Sequence, residues 1–122
     1  LTAVIPKWYQ GRAILPDSVS VATLNVLVVA PVFEEFLVRG AVFGNLVPAM
    51  GFRWANIISA LCFVILHLPG WFMMGALHDK LTQPLTGVLS IFVLGLCFGV
   101  ATRKGQSFLG GVIAHFFNNL TA

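Results

Sequence analysis

The sequence predicts an all-α fold, a polytopic transmembrane helix bundle with about four membrane helices. Of the 122 residues, 58% are hydrophobic and only 9% are charged, whereas about a quarter of the residues of an average soluble domain are charged. Three long segments contain no Asp, Glu, Lys or Arg, namely 54–77, 81–102 and 105–122. A helix needs about 20 apolar residues to cross about 30 Å of hydrocarbon. These segments therefore predict membrane-spanning helices.

The first 17 residues predict an interfacial segment. They mix helix breakers, aromatic rings and charges: Pro6, Lys7, Trp8, Tyr9, Arg12, Pro16 and Asp17. Amphipathic rings and cations of this kind are enriched at the headgroup level of a membrane. We therefore divide the chain into an interfacial segment, 1–17, and one membrane core, 18–122. Because the first residue is Leu and not Met, we expect this core to be a fragment of a longer chain.

The first predicted helix carries a pair of acidic residues. Ser18 or Ser20 can cap a helix that runs from 21 to 47. Pro31 lies inside it, and a proline there is expected to kink the helix or restart it. A restart would place Glu34 and Glu35 in the first turn of the new helix, where the helix dipole favours carboxylates.

The second predicted helix follows a turn at 48–53 and covers 54–68. Pro69 and Gly70 are expected to end it, which would place His67 in its last turn, close to a membrane face. The polar residues 78–80 then predict a solvated loop. His78 belongs to that loop and not to the set of candidate catalytic residues.

The third and fourth predicted helices complete the core. The third covers 81–102 and contains Gly95 and Gly99, four residues apart, a spacing that lets another helix approach closely. Gly40 and Gly44 repeat the spacing on the first helix. Ser107 can cap the fourth helix.

Charge and cysteine content narrow the partners and the location of the protein. The Lys and Arg residues lie almost entirely between the apolar segments, so they mark loops and membrane faces, and no nucleic-acid partner is expected. Alternating helices would place three cations on each side, which leaves the orientation undecided. Cys62 and Cys97 lie within apolar segments and predict inert packing. We expect an integral, multi-pass membrane protein in contact with the lipid bilayer.

Ionisable residues inside the apolar segments are the candidates for function, because such groups are costly in a membrane. Glu35 and Arg39 are four residues apart with the acid first, the orientation that pairs best along a helix. Glu34 lies about 100° around the helix from Glu35, so it needs another companion, such as a histidine of a neighbouring helix. A purely structural ion network is the alternative interpretation of these three residues.

His115 and Asn119 project from one helical face and add an imidazole and a carboxamide to the set. A carboxylate beside an imidazole can take a proton from water, and His and Asn can donate hydrogen bonds to an oxyanion. These groups suit hydrolysis of an amide inside a membrane. Glu34, His67 and His115 could instead bind a divalent metal such as Zn²⁺. No Asp lies in an apolar segment and no His-Glu-x-x-His motif occurs, which argues against aspartyl proteases and typical zinc proteases.

Three motifs together resemble the CPBP family, also called Abi, which includes the type II CAAX prenyl endopeptidases such as the Ras-converting enzyme. They are Glu34–Gly40 (EEFLVRG), Phe63–His67 (FVILH) and His115–Asn119 (HFFNN). The resemblance covers about residue 18 to the C-terminus. It implies an all-helical intramembrane protease, of the glutamic type or a metallo-endopeptidase, and of the two we expect the metal-independent glutamic type.

By motif position, the resemblance implies a role for each residue. Glu34 would activate water with help from His67. His115 and Asn119 would form the oxyanion site, and Glu35 and Arg39 would support the others. The expected substrate is a membrane-associated peptide or protein that is cleaved near its C-terminus or the membrane boundary. Whether that substrate is prenylated stays open.

Two other functions stay open at this point. The first is a catalytically inactive module of the same fold that binds membrane peptides or gives immunity to a bacteriocin. The second is a fragment of a transporter or proton relay, since intramembrane Glu and His residues also serve pumps. Retention of Glu34, His67, His115 and Asn119 favours the protease.

Overall fold

The computed structural model describes residues 18–121, which form a bundle of α-helices; the predicted interfacial segment 1–17 lies outside the described residues. The first helical run passes through Val21–Leu24, Asn25–Val29, Ala30–Glu35 and Phe36–Phe43 into Gly44–Met73, and it is broken at Gly51. We therefore call residues 21–50 α1 and residues 52–73 α2. The others are α3 (Leu77–Thr82), a 3₁₀ turn (Pro84–Thr86), α4 (Val88–Gly105) and α5 (Phe108–Thr121).

Helix α1 does not restart at Pro31, so that expectation was wrong. Ser20 caps the helix as predicted, and its side chain accepts a hydrogen bond from the Thr23 N–H. The turn before Pro31 is π-helical, as is the segment Phe36–Phe43 that follows the acidic pair. A π turn pairs residues five apart. This local change of pairing lets the helix continue past a proline, which has no N–H to donate. Glu34 and Glu35 therefore lie in mid-helix, away from any helix terminus.

A single residue separates α1 from α2. Gly51 has φ 77° and ψ 166°, a conformation that only glycine adopts readily. The turn predicted at 48–53 is therefore shorter than expected, since only Gly51 has a non-helical backbone conformation there. The two helices fold back on each other as an antiparallel hairpin. Within the hairpin the Phe43 and Phe52 rings meet edge to face, with centroids 5.9 Å apart, and Arg39 contacts Phe63 deeper in the bundle.

The end of α2 and the start of α4 differ from the predictions. Helix α2 continues through Pro69 to Met73, so His67 lies two turns from its end and not in its last turn. The third membrane helix begins at Val88, because Pro84 and Gly87 break the segment that precedes it. A Cβ on Gly87 would collide with the backbone of Lys80, so this close approach requires glycine.

Residues 78–80 do not form the predicted solvated loop. They lie in α3, and Lys80 is 6% exposed. Its Nζ donates to the Thr86 carbonyl at 2.8 Å, which satisfies one of the three N–H donors of the ammonium group. His78 is exposed, as predicted.

Small residues bring α2 and α4 together. A Cβ on Gly95 would lie 3.1 Å from Ala60, and one on Gly99 would overlap the Asn56 side chain. The predicted contact at Gly95 and Gly99 is confirmed. The other glycine pair, Gly40 and Gly44, meets only atoms of its own helix, so that predicted contact was wrong.

The outside of the bundle is apolar and part of its inside is polar, as in a membrane protein. Two helical runs, Val21–Met73 and Val88–Gly105, are long and apolar enough to cross a membrane. Large hydrophobic side chains face outward, such as Ile65 at 60% exposed and Phe117 at 58%. By contrast, Glu35 and Arg39 are 0% and 1% exposed. The protein is an all-α membrane helix bundle.

Candidate active site

Glu35 and Arg39 form a buried ion pair at the centre of the bundle. Arg39 Nη1 donates to Glu35 Oε1 at 3.1 Å, and both side chains are fully buried. Arg39 Nη2 donates to the Gly95 carbonyl on α4. The guanidinium carbon lies 4.7 Å from the centroid of the Phe63 ring on α2. Arg39 thus joins α1 to α2 and α4 while it neutralises Glu35.

His115 on α5 lies between the two carboxylates of α1. Its Nδ1 is 3.2 Å from Glu35 Oε1, within hydrogen-bonding distance. Its Nε2 is 3.9 Å from Glu34 Oε2, too far for a direct hydrogen bond. The Glu34 side chain is 23% exposed, whereas that of Glu35 is fully buried. Glu34 is therefore the accessible carboxylate, and Glu35 is the group that orients the imidazole.

The Glu35 contact fixes which nitrogen of His115 is available for chemistry. A carboxylate accepts hydrogen bonds, so Nδ1 carries the proton in the pair with Glu35. This assignment follows from the hydrogen-bond network. In neutral His115, Nε2 is then an acceptor beside Glu34. In protonated His115, Nε2 is a donor that points into the same space.

The second oxygen of Glu35 faces a hydroxyl group across a glycine. A Cβ on Gly111 would lie 2.6 Å from Glu35 Oε2 and 2.7 Å from Thr102 Oγ1. Both oxygens are buried and have no hydrogen-bond partner among the described residues. A water molecule that bridges the two oxygens would satisfy both. Gly111 is required here because any side chain would fill this space.

His67 lies beside this cluster without joining it. Its Nδ1 is 2.8 Å from the Phe63 carbonyl of its own helix. The other ring nitrogen, Nε2, takes no part in this hydrogen bond. The Phe63 ring packs against both histidines, with centroids 4.8 Å from His67 and 5.6 Å from His115. Phe63 thus separates the two imidazoles.

Asn119 is held by a backbone carbonyl of α1. Its Nδ2 donates to the Val26 carbonyl at 2.9 Å. In this π turn a carbonyl pairs with the N–H five residues later, as the Ala30 N–H pairs with the carbonyl of residue 25. Five residues after Val26 comes Pro31, which has no N–H. Asn119 therefore supplies the donor that Pro31 lacks, and its second amide hydrogen is free for another acceptor.

The arrangement does not match the alternative metal site. Among residues 18–121, no group of three His, Cys, Asp or Glu side chains is placed to hold one metal ion. Glu34 and His115 approach each other, but the contacts of His67 are with the Phe63 carbonyl and with the Phe63 and Trp71 rings. In this geometry Glu34, His67 and His115 do not fit a single ion.

Comparison with known proteins identifies the family. A model of the Rce1-like family, described as type II CAAX prenyl endopeptidase Rce1-like, matches residues 16–121. The chain belongs to the Rce1-like family. No curated protein and no solved structure matches it. This membership assigns the chain, in general terms, to the intramembrane endopeptidases of the CAAX type.

Sequence reasoning did not find several residues of this site. Phe98 stacks on the His115 ring, with centroids 4.8 Å apart and planes 19° from parallel, but a phenylalanine in an apolar segment gives no local signal. The sequence likewise gives no local indication that Thr102 and Gly111 belong to the site. Pro31 was noticed in the sequence, but a proline in a helix predicts a break. It does not predict that the carbonyl left without a donor, that of Val26, accepts a hydrogen bond from Asn119.

Proposed function

We propose that this chain is the catalytic core of a multi-pass intramembrane endopeptidase in which Glu34 activates water to hydrolyse a peptide bond. One observation carries the proposal: Glu34 is partly exposed and lies 3.9 Å from His115, whose other ring nitrogen is held by the buried Glu35. An oriented imidazole beside an accessible carboxylate is an arrangement suited to general base catalysis. Membership of the Rce1-like family supports the same reaction.

In the proposed reaction, Glu34 takes a proton from water as the water oxygen attacks the carbonyl carbon of the scissile bond. The carbonyl oxygen becomes an oxyanion, and Nε2–H of protonated His115 and the second N–H of the Asn119 amide donate to it. Such donors are worth about 2.7 to 4 kcal/mol each in comparable enzymes. The C–N bond then breaks, and the proton on Glu34 passes to the leaving nitrogen.

The remaining polar residues have supporting roles in this proposal. Glu35 holds the orientation of His115 and Arg39 neutralises Glu35, so a single charge is not left buried and unpaired. His67, which does not contact Glu34, would help to position the attacking water from α2 through its unengaged Nε2. No metal ion takes part in the proposed reaction, and the lack of three His, Cys, Asp or Glu side chains placed to hold one ion among the described residues supports this element of the proposal.

The proposed substrate is a membrane-associated peptide or protein that is cleaved near its C-terminus. A prenylated CAAX peptide is the first substrate to test, because the matched family is described by that activity. An apolar exterior favours a substrate that arrives through the lipid and not from bulk water.

The test is cleavage of a quenched fluorescent CAAX peptide, prenylated or unprenylated, by the full-length protein in liposomes. His115→Ala should abolish cleavage, while His78→Ala is the matched control, because His78 is exposed and lies outside the site. A chelator should leave the rate unchanged. Chelator-sensitive cleavage would contradict the metal-free mechanism, and wild-type protein that binds peptide without cleaving it would indicate an inactive binding module.

A further inference from the structure

One end of the bundle contains a cavity that the proposed reaction does not use. It has a volume of about 500 Å³ and lies where α1 ends, α2 begins and α4 turns into α5. Its lining includes Arg39, Phe43, Phe52, Arg103, Gln106 and Ser107. Neither Glu34 nor His115 lines it. The cavity therefore combines aromatic walls with cationic and neutral hydrogen-bonding groups.

Arg103 is held at this cavity with its hydrogen-bond donors free. Its guanidinium carbon lies 4.2 Å from the centroid of the Phe52 ring, a cation–π contact that fixes the group over an apolar face. Arg103 is exposed, and within the described part of the chain it has no salt bridge. An arginine positioned in this way presents a planar set of donors suited to carboxylate or phosphate groups.

A second cavity shares Phe52 and Arg103 with the first. Its other lining residues include Arg53 and Trp54, and Trp54 is 63% exposed. Exposed tryptophan is typical of the membrane interface, at the depth of lipid headgroups. The three cations of this end are Arg53, at the start of α2, and Arg103 and Lys104, in the last turn of α4.

Among residues 18–121, no acidic residue lies at these cavities to compensate the cations. The acidic residues of the described chain are Glu34, Glu35 and Asp79, and none of them lines either cavity. The buried Arg39 is already paired with Glu35. This end of the bundle therefore carries positive charge at headgroup depth beside apolar walls.

We propose that the two cavities form a binding site for an anionic phospholipid, with its phosphate on Arg103 and Arg53 and its upper acyl chain against Phe43 and Phe52. Basic pockets between membrane helices bind anionic headgroups in this manner. The apolar walls favour a lipid over a free phosphate, which has no acyl chain to bury. The site lies at the end of the bundle where α1 meets α2, beyond Arg39, and neither Glu34 nor His115 lines it.

Lys104 offers a matched control for Arg103. Both residues are exposed, adjacent and of the same charge, but Lys104 lines neither cavity. The experiment measures the affinity of the full chain in detergent for phosphatidylglycerol, phosphatidylcholine and soluble glycerol 3-phosphate, by native mass spectrometry at physiological ionic strength. Three variants are compared with the wild type: Arg103→Gln, Lys104→Gln and Phe52→Leu.

The wild type should prefer phosphatidylglycerol to phosphatidylcholine. Arg103→Gln should weaken phosphatidylglycerol binding at least about fivefold, a typical contribution of one cation at a membrane surface, and Lys104→Gln should weaken it less than about twofold, since diffuse surface charge is screened by salt. Phe52→Leu should also weaken binding, although it changes no charge. A thermal unfolding scan identifies any variant that fails to fold.

Three results would overturn the proposal. An equal loss of affinity for phosphatidylglycerol in Arg103→Gln and Lys104→Gln would show that diffuse surface charge, and not a specific site, binds the lipid. Glycerol 3-phosphate binding as tight as phosphatidylglycerol would indicate a site for soluble phosphate. Unchanged binding in both Arg103→Gln and Phe52→Leu would place the lipid elsewhere.

Discussion

Replacement of Arg39 by methionine should destabilise the protein more than any surface substitution. Glu35 would remain at a position with no exposure to solvent, and its cationic partner at 3.1 Å would be gone. Coulomb's law at that distance gives about 5 kcal/mol for an effective dielectric constant of 20. Removal of one partner from a buried ion pair typically costs about 3 to 5 kcal/mol. The two values agree, and we expect a loss of about 3 to 5 kcal/mol.

The assay is reversible unfolding in mixed micelles as the fraction of denaturing detergent is raised, followed by circular dichroism. Lys104→Met is the control, because it removes one cation from an exposed position and should change the free energy of unfolding by less than about 0.5 kcal/mol. The double variant Glu35→Gln with Arg39→Met should recover part of the loss, since it leaves no unpaired charge. Equal effects of Arg39→Met and Lys104→Met would refute the buried-pair explanation.

Further substitutions test the helix contacts and the position of Asn119. Gly99→Ala should lower the free energy of unfolding by about 1 to 3 kcal/mol, because its Cβ would overlap Asn56. Gly70→Ala is the control, because a Cβ on Gly70 would meet nothing within 4 Å. In the same detergent titration it should leave the free energy of unfolding unchanged or slightly higher. Pro31→Ala returns an N–H that competes for the carbonyl now held by Asn119, so kcat should fall roughly ten- to a hundredfold with KM nearly constant. Steady-state peptide cleavage would show this, and an unchanged kcat would contradict the positioning of Asn119 by that carbonyl.

Contacts along one helix could be predicted from the sequence, and contacts between helices only in part. The Glu35 and Arg39 pair follows from a spacing of four residues, and the structure shows it. A histidine was expected near Glu34, and His115 is that residue. Its simultaneous contact with Glu35 could not be predicted, because it depends on how closely α5 approaches α1. That approach is set by Gly111, whose Cβ would overlap the Glu35 carboxylate.

The wrong predictions at Pro31, Pro69 and Lys80 share a physical cause, since each treated a local preference as final. Pro31 and Pro69 disfavour helix, but α1 and α2 continue through them, because other donors or packing offset one missing hydrogen bond each. Lys80 favours a solvated loop, but its side chain is buried and donates a hydrogen bond to the Thr86 carbonyl. A tertiary partner far along the chain, or a close approach of backbone, decided these cases.

The most direct test of the central claim is to measure kcat and substrate affinity separately for Glu34→Gln. This substitution keeps the size of the side chain and removes the base. We predict that kcat falls by about a hundredfold to ten-thousandfold, the usual contribution of a general base, while the dissociation constant of a membrane peptide substrate stays within about twofold. Cleavage by Glu34→Gln at the wild-type rate would contradict the assignment of Glu34 as the base.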